Sequence, residues 1–109
     1  MMKTITVSGC MMLAFVSFAY AATLTGEQLK GELVGHTIHW KSKSGSGITI
    51  YKEDGTIEAT VDGDKNSYTG TWRIKGNQMC EKFAKEACAT INSLGGKSYS
   101  KKGGTLTVE

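Results

Sequence analysis

The sequence predicts a mainly β protein in which a short N-terminal helix precedes an antiparallel meander. Three observations lead to this fold class. Apolar residues alternate with period two after Gly35, turn residues recur at short intervals, and no proline interrupts the strands. We expect about six or seven strands that form a small barrel or half-barrel, because an open single-layer sheet would leave its apolar face in water.

The first 21 residues have the features of a cleaved signal peptide. Residues 1–3 form a short positive start, residues 11–18 are apolar, and residues 19–21 (Ala-Tyr-Ala) fit a small-x-small cleavage site. We therefore predict that residues 22–109 form a single β-rich domain in the periplasm or outside the cell. We predict no membrane span, because the apolar run is shorter than the roughly 20 residues that a spanning helix needs.

A helix is predicted over residues 26–34. Residues 25–28 (Thr-Gly-Glu-Gln) fit a capping box, in which the threonine side chain and the glutamine side chain each satisfy a free backbone amide. Leu24 and Leu29 stand at the positions of a hydrophobic staple, and Gly35 is a suitable stop.

The rest of the domain is divided by turn signals in which glycine or asparagine supplies a positive φ. They are Asp54-Gly55, Gly63, Gly76-Asn77, Gly95-Gly96 and Gly103-Gly104. Residues two apart on a strand share a face, so the pattern predicts one apolar face. Its members are Val34, Ile38, Trp40, Ile48, Ile50, Ile57, Ala59, Val61, Tyr68, Trp72, Ile74, Met79, Phe83, Ala89, Ile91, Leu106 and Val108.

The cysteines predict one disulfide. Removal of the leader takes away Cys10, which leaves Cys80 and Cys88 in an oxidising compartment. Both point away from the apolar face, and they lie symmetrically about Ala84 in the proposed turn. We expect the bridge to contribute about 2 to 3 kcal/mol.

Two ionisable residues interrupt the apolar face and are candidate ligand-binding residues. His36 is in phase with Val34 and Ile38, and Glu81 is in phase with Met79. A buried ionisable group is costly unless it is paired or hydrogen-bonded, so these side chains are candidates for the polar groups of a pocket. Aromatic residues on the same face complete the predicted site: Trp40, Tyr68 and Trp72.

Two patterns that imitate metal sites do not support a metal. His36 and His39 are three residues apart and would lie on opposite faces of a strand. Residues 62–66 place oxygen ligands at alternate positions, but Ser67 and Arg73 stand where a calcium loop needs glycine and glutamate. We predict no metal and no cofactor. The sequence also lacks a nucleophile elbow, so we predict a protein that is not an enzyme.

The charge distribution suggests a second interpretation. The formal net charge of +3 is too small to indicate binding to nucleic acid. Residues 22–64 carry four lysines against seven carboxylates, whereas residues 65–109 carry eight cationic side chains against three carboxylates. Our first hypothesis is a binding module for a small apolar or amphipathic ligand. The alternative is an interaction or inhibitor domain that docks on an acidic protein partner through its basic C-terminal half, where a patch could form from Lys82, Lys85, Lys97, Lys101 and Lys102.

Several short motifs resemble a family. Tyr51-x-x-Asp54-Gly55-Thr56, Gly70-Thr71-Trp72, Met79-Cys80 and the second cysteine Cys88 are similar to the pattern of small exported proteobacterial proteins known as a domain of unknown function. That resemblance covers most of the chain after residue 21. It implies a periplasmic or secreted lipocalin-like meander, and it brings no catalytic residues. Independently of the resemblance, the apolar face of a half-barrel would need to be covered by the helix or by a second copy in a homodimer.

Overall fold

A computed structural model describes residues 22–109 of the chain. The predicted signal peptide, with Cys10, lies outside the described residues, and its cleavage stays a prediction. Among the residues that are described, no helix has both the length and the apolar character needed to cross a membrane.

The fold is mainly β, with one short helix and ten strands. The helix α1 spans Gly26–Leu33. The strands are β1 (Ala22–Thr23), β2 (Thr37–Ser42), β3 (Gly45–Tyr51), β4 (Thr56–Val61), β5 (Ser67–Lys75), β6 (Gln78–Lys82), β7 (Glu86–Ala89), β8 (Ile91–Gly95), β9 (Ser98–Lys101) and β10 (Gly104–Val108).

All ten strands belong to one antiparallel sheet that curls strongly into a half-barrel. Their order is β1-β8-β9-β10-β2-β3-β4-β5-β6-β7, so β1 and β7 are its edges. The predicted number of six or seven strands is wrong. The two-residue β1 pairs with the distant β8, and only Thr90 separates β7 from β8 although these strands lie far apart in the sheet order.

The helix forms where the capping box predicted it. The Gln28 amide donates to the Thr25 hydroxyl, and the Thr25 amide donates to the Gln28 side chain. The helix ends at Leu33, one residue before the predicted end, and Gly35 follows with a φ of 84°. The Gly35 amide donates to the Tyr51 carbonyl over 2.8 Å, which attaches the end of the helix to β3.

The register of the β2–β3 hairpin corrects one part of the predicted apolar face. Ser42 pairs with Gly45 across a two-residue turn, so Ile48 pairs with the exposed His39. Directly opposed residues share a face, and therefore Ile48 and Ile50 lie on the outer face of the sheet. The inner face of β3 instead carries Gly47, Thr49 and Tyr51. The pairing registers of β2, β4, β5, β6, β7 and β10 agree with the predicted face.

The hydrophobic core lies between the helix and one end of the curled sheet. Leu29 and Leu33 of the helix are fully buried there. The sheet supplies core residues from its inner face, among them Ile38, Tyr51, Ile57, Met79, Ile91, Tyr99, Leu106 and Val108. Full burial of a leucine side chain is worth roughly 1.5–3 kcal/mol. The helix is thus a plug for one end of the half-barrel.

The predicted disulfide is confirmed. Cys80 and Cys88 are joined and oppose each other in the β6–β7 ladder. Both lie on the outer face, as the side-chain phase predicted. On the same face Arg73 forms a two-pronged ion pair with Glu86, with nitrogen–oxygen distances of 2.7 and 2.8 Å. The Arg73 side chain is 59% exposed, so this pair adds little stability.

Candidate functional site

A cavity of about 280 Å³ occupies the end of the inner face that the helix does not fill. Its apolar wall includes Ile38, Trp40, Ala59, Phe83 and Leu106, which come from three strands and the β6–β7 turn. Phe83 is 45% exposed and therefore lies at the mouth. Apolar walls with a few polar groups are the usual features of a small-molecule site.

A polar network forms part of the cavity wall. Glu81 Oε2 accepts a short hydrogen bond from the Tyr51 hydroxyl and a second one, of 2.8 Å, from Lys101 Nζ. The side chains of Glu81 and Lys101 are 19% and 27% exposed. The ion pair offsets the desolvation cost of placing the Glu81 carboxylate on the inner face, since each charge has an opposite partner.

The Tyr51 hydroxyl acts in this network as a hydrogen-bond donor. Burial, followed by the negative charge of Glu81 and the hydrogen bond to it, raises the pKa of Tyr51 well above its ordinary value. Tyr51 therefore stays protonated in neutral solution and positions the Glu81 carboxylate. It also joins the two ends of the inner face, because its ring belongs to the core and its hydroxyl reaches the cavity.

Gly47 makes room for the indole of Trp40 on the cavity wall. The two residues oppose each other in the β2–β3 ladder. A methyl group on Gly47 would overlap the Thr60 carbonyl and would lie 2.8 Å from the Trp40 ring. The absence of a side chain at position 47 therefore lets the Trp40 ring approach the backbone of β3.

The structure brings together two of the five predicted ligand-binding residues. Trp40 and Glu81 line the cavity. His36 is exposed in the turn before β2, and its amide donates to the Leu33 carbonyl. Tyr68 is 44% exposed, and its hydroxyl donates to Asp64 over 2.6 Å. His36 and Tyr68 lie outside the cavity lining, and so does Trp72.

Trp72 lies instead in a surface groove beside the helix. Its indole nitrogen donates to the Lys52 carbonyl over 2.7 Å, and its ring meets the Tyr51 ring edge to face at 6.1 Å. The groove also includes Lys30 and Val34. Because the indole nitrogen is already bonded to backbone, Trp72 braces the β3–β4 turn against the core.

Lys101 and Tyr51 belong to the polar network but are not among the five predicted ligand-binding residues. Lys101 was assigned to a basic surface patch, but it pairs with Glu81 inside the cavity. Two signals point to it: Lys101 is in phase with the buried Tyr99, and Glu81 needs a cationic partner. Tyr51 is one of the aromatic residues that could line a cavity, but the predicted face took Ile48 and Ile50 from this strand and so left Tyr51 out of the predicted site.

One described cluster places three groups within 4.8 Å of one another: Cys80, Glu86 and Cys88. The two sulfur atoms are bonded to each other, so they are not thiolate ligands. The two aspartates of the segment that imitates a calcium loop accept hydrogen bonds from neighbouring protein groups. Asp62 accepts from Ser46, and Asp64 accepts from Tyr68 and from the Asn66 amide.

The remaining lysines of the C-terminal half are at the surface. Lys82, Lys85, Lys97 and Lys102 are exposed, whereas the Lys101 ammonium is paired with Glu81. The predicted five-lysine patch therefore has one of its charges, that of Lys101, compensated by Glu81. Docking on an acidic partner stays a prediction, as does the homodimer.

No protein-family profile, curated protein or solved structure matches this chain.

Proposed function

We propose that this protein is a non-enzymatic binding module of the cell envelope or the secreted fraction, which holds a small apolar or amphipathic ligand in the inner cavity. The observation that carries the proposal is the unfilled end of the half-barrel. There an aromatic and aliphatic wall surrounds about 280 Å³ beside the Glu81–Lys101 pair.

The polar network suits binding better than chemistry. Glu81 is engaged by both Tyr51 and Lys101, and the pKa of Tyr51 is raised by burial and by the Glu81 charge. A general base should have a pKa near neutral pH, whereas this hydroxyl keeps its proton. The network therefore supplies a fixed polar surface against which the polar end of a ligand would orient.

The disulfide supports an exported location. Cys80 and Cys88 close a short loop between two neighbouring strands, and such bridges persist in oxidising compartments. This agrees with the predicted signal peptide over residues 1–21.

The test is a titration of the purified domain with short-chain amphiphiles, followed by tryptophan emission, since Trp40 lines the cavity. We expect a saturable change. Ala59→Phe should abolish it, because the new ring would fill the cavity that Ala59 lines. Thr60→Phe is the matched control, since Thr60 pairs with Ile48 on the outer face. Equal binding by both variants, or no saturation with any amphiphile, would refute the proposal.

A further inference from the structure

The polar wall of the cavity has free hydrogen-bond donors. A lysine ammonium has three N–H groups, and Lys101 uses one of them on Glu81. Within residues 22–109 no other protein acceptor is bonded to Lys101 Nζ. Two donors on a positive group therefore remain for a ligand at the boundary between the apolar wall and the mouth.

The charges around the cavity favour an anion. Its lining includes Lys41, Lys101 and Lys102 against the single carboxylate of Glu81, which Lys101 compensates. Lys41 and Lys102 are exposed at the rim. A concave surface with an excess of one charge concentrates the opposite ion, because its low-dielectric walls focus the field.

Two further acidic side chains lie in a turn at this end of the sheet. The β4–β5 turn carries Asp62 and Asp64, and both accept hydrogen bonds from neighbouring side chains, Ser46 and Tyr68 respectively. The same turn adds Lys65, and the β2–β3 turn adds Lys43. These two lysines balance the charges of the two aspartates, so the turns leave the positive excess of the cavity lining unchanged.

We infer that the ligand is an amphipathic monocarboxylate whose head group is bound by Lys101 and whose chain lies against Trp40, Ala59 and Leu106. This inference rests on the proposed function and specifies its ligand class. The Lys101 ammonium is a compact positive charge, and each of its two free N–H groups can donate to a carboxylate oxygen. The volume of about 280 Å³ lies just below the range of about 300–1,000 Å³ that is usual for small-molecule sites, so a short chain suits the cavity.

The test compares octanoate, octanol and octylammonium, which share one chain and differ in head-group charge. We expect octanoate to bind at least about 10-fold more tightly than octanol, since a charge-assisted hydrogen bond of 1.5–3 kcal/mol corresponds to roughly 10- to 100-fold. Octylammonium should bind most weakly, because Lys101 and the rim lysines repel it.

Two variants of the ion pair identify which charge the ligand contacts. Lys101→Met should weaken octanoate by about 10-fold or more, because it removes the ligand's partner and leaves Glu81 to repel the anion. Glu81→Gln should strengthen octanoate several-fold and should change octanol little. Lys97→Met is the matched control, since Lys97 is exposed in the β8–β9 turn and lies outside the cavity.

The outcomes separate this inference from the proposed function. Binding of octylammonium as tight as that of octanoate, or equal binding of all three compounds, overturns the inference and leaves the binding module standing. Saturation by none of them removes both. If Lys101→Met does not fold, as judged by its melting curve, the change in octanoate affinity that Glu81→Gln causes decides between the outcomes. A gain in affinity supports the inference, and a loss overturns it.

Discussion

The two ends of the inner face come from neighbouring positions on the same strands, yet one end is packed and the other encloses a cavity. The core end and the cavity end are represented by Met79 and Glu81 on β6, and by Tyr99 and Lys101 on β9. The helix accounts for the difference. Its eight residues span about 12 Å, whereas a six-residue strand such as β2 spans about 20 Å, so the plug covers only part of the sheet.

This difference indicates how the protein divides stability from binding. The helix end has buried leucines and an almost entirely apolar core, and it supplies the folding free energy. The cavity end keeps an ion pair and a half-exposed aromatic residue, which add little stability but suit a ligand. Tyr51 belongs to both ends and connects them.

The largest expected effect comes from removing the plug. Leu33→Ala should lower the free energy of unfolding by about 2 to 5 kcal/mol, because Leu33 is fully buried against the sheet. Leu94→Ala is the control, and it should change stability by less than about 0.5 kcal/mol because Leu94 is 52% exposed. Urea denaturation measures both. Similar losses for the two variants would contradict the role of the helix as a plug.

Removal of the Tyr51 hydroxyl should break the hydrogen bond that joins the core end to the cavity end. The expected loss of stability is smaller than that of Leu33→Ala. Tyr51→Phe keeps the ring in the core but leaves Glu81 with Lys101 as its hydrogen-bond donor. We expect a loss of about 1 to 3 kcal/mol by thermal or urea unfolding. Tyr68→Phe, which frees the exposed Asp64, should cost less than about 0.5 kcal/mol. If Tyr51→Phe costs no more stability than Tyr68→Phe, the Tyr51 hydroxyl does not connect the two ends.

Filling the cavity should make the cavity end pack more like the core end. Ala59→Phe should raise the free energy of unfolding by about 0.5 to 1 kcal/mol, since it buries apolar surface in empty space, while it abolishes ligand binding. Thr60→Phe on the outer face should produce neither change. Calorimetry of the two variants, with and without octanoate, measures both quantities. A destabilised Ala59→Phe variant would mean that the cavity end tolerates no added volume.

The smallest expected effect is a shift in the alkaline titration. Partial burial, then the hydrogen bond to Glu32 and its charge, raises the pKa of Tyr99 to about 12, and the pKa of Tyr51 is raised as well. The folded protein holds these protons more tightly than the unfolded chain, so this contribution is complete below about pH 10 and is lost as the pH rises toward 12. Tyrosinate absorbance should therefore appear at higher pH in the native protein than in denaturant. Coincident curves would contradict the burial of both hydroxyls.

Local chemistry made several features of the fold predictable. The capping box at Thr25 and Gln28 requires only neighbouring residues, and the helix begins where it indicates. Glycines with positive φ stand at the predicted turns, including Gly55 and Gly76. The disulfide followed from strand phase and a short separation between Cys80 and Cys88. The site was predictable only in part. Glu81 was a candidate because a charge interrupted an apolar pattern, but its partner Lys101 was not among the predicted site residues.

The sequence by itself determined the β class, the helix, the turns and the disulfide, because each depends on residues close together in the chain. Only the tertiary structure decided which face of β3 is buried, since Ile48 and Tyr51 both satisfy an apolar pattern and the β2–β3 turn sets the register. It also decided the pairing of β1 with β8 and of Lys101 with Glu81. Those contacts join segments that are distant in the chain, so no local pattern of residues specifies them.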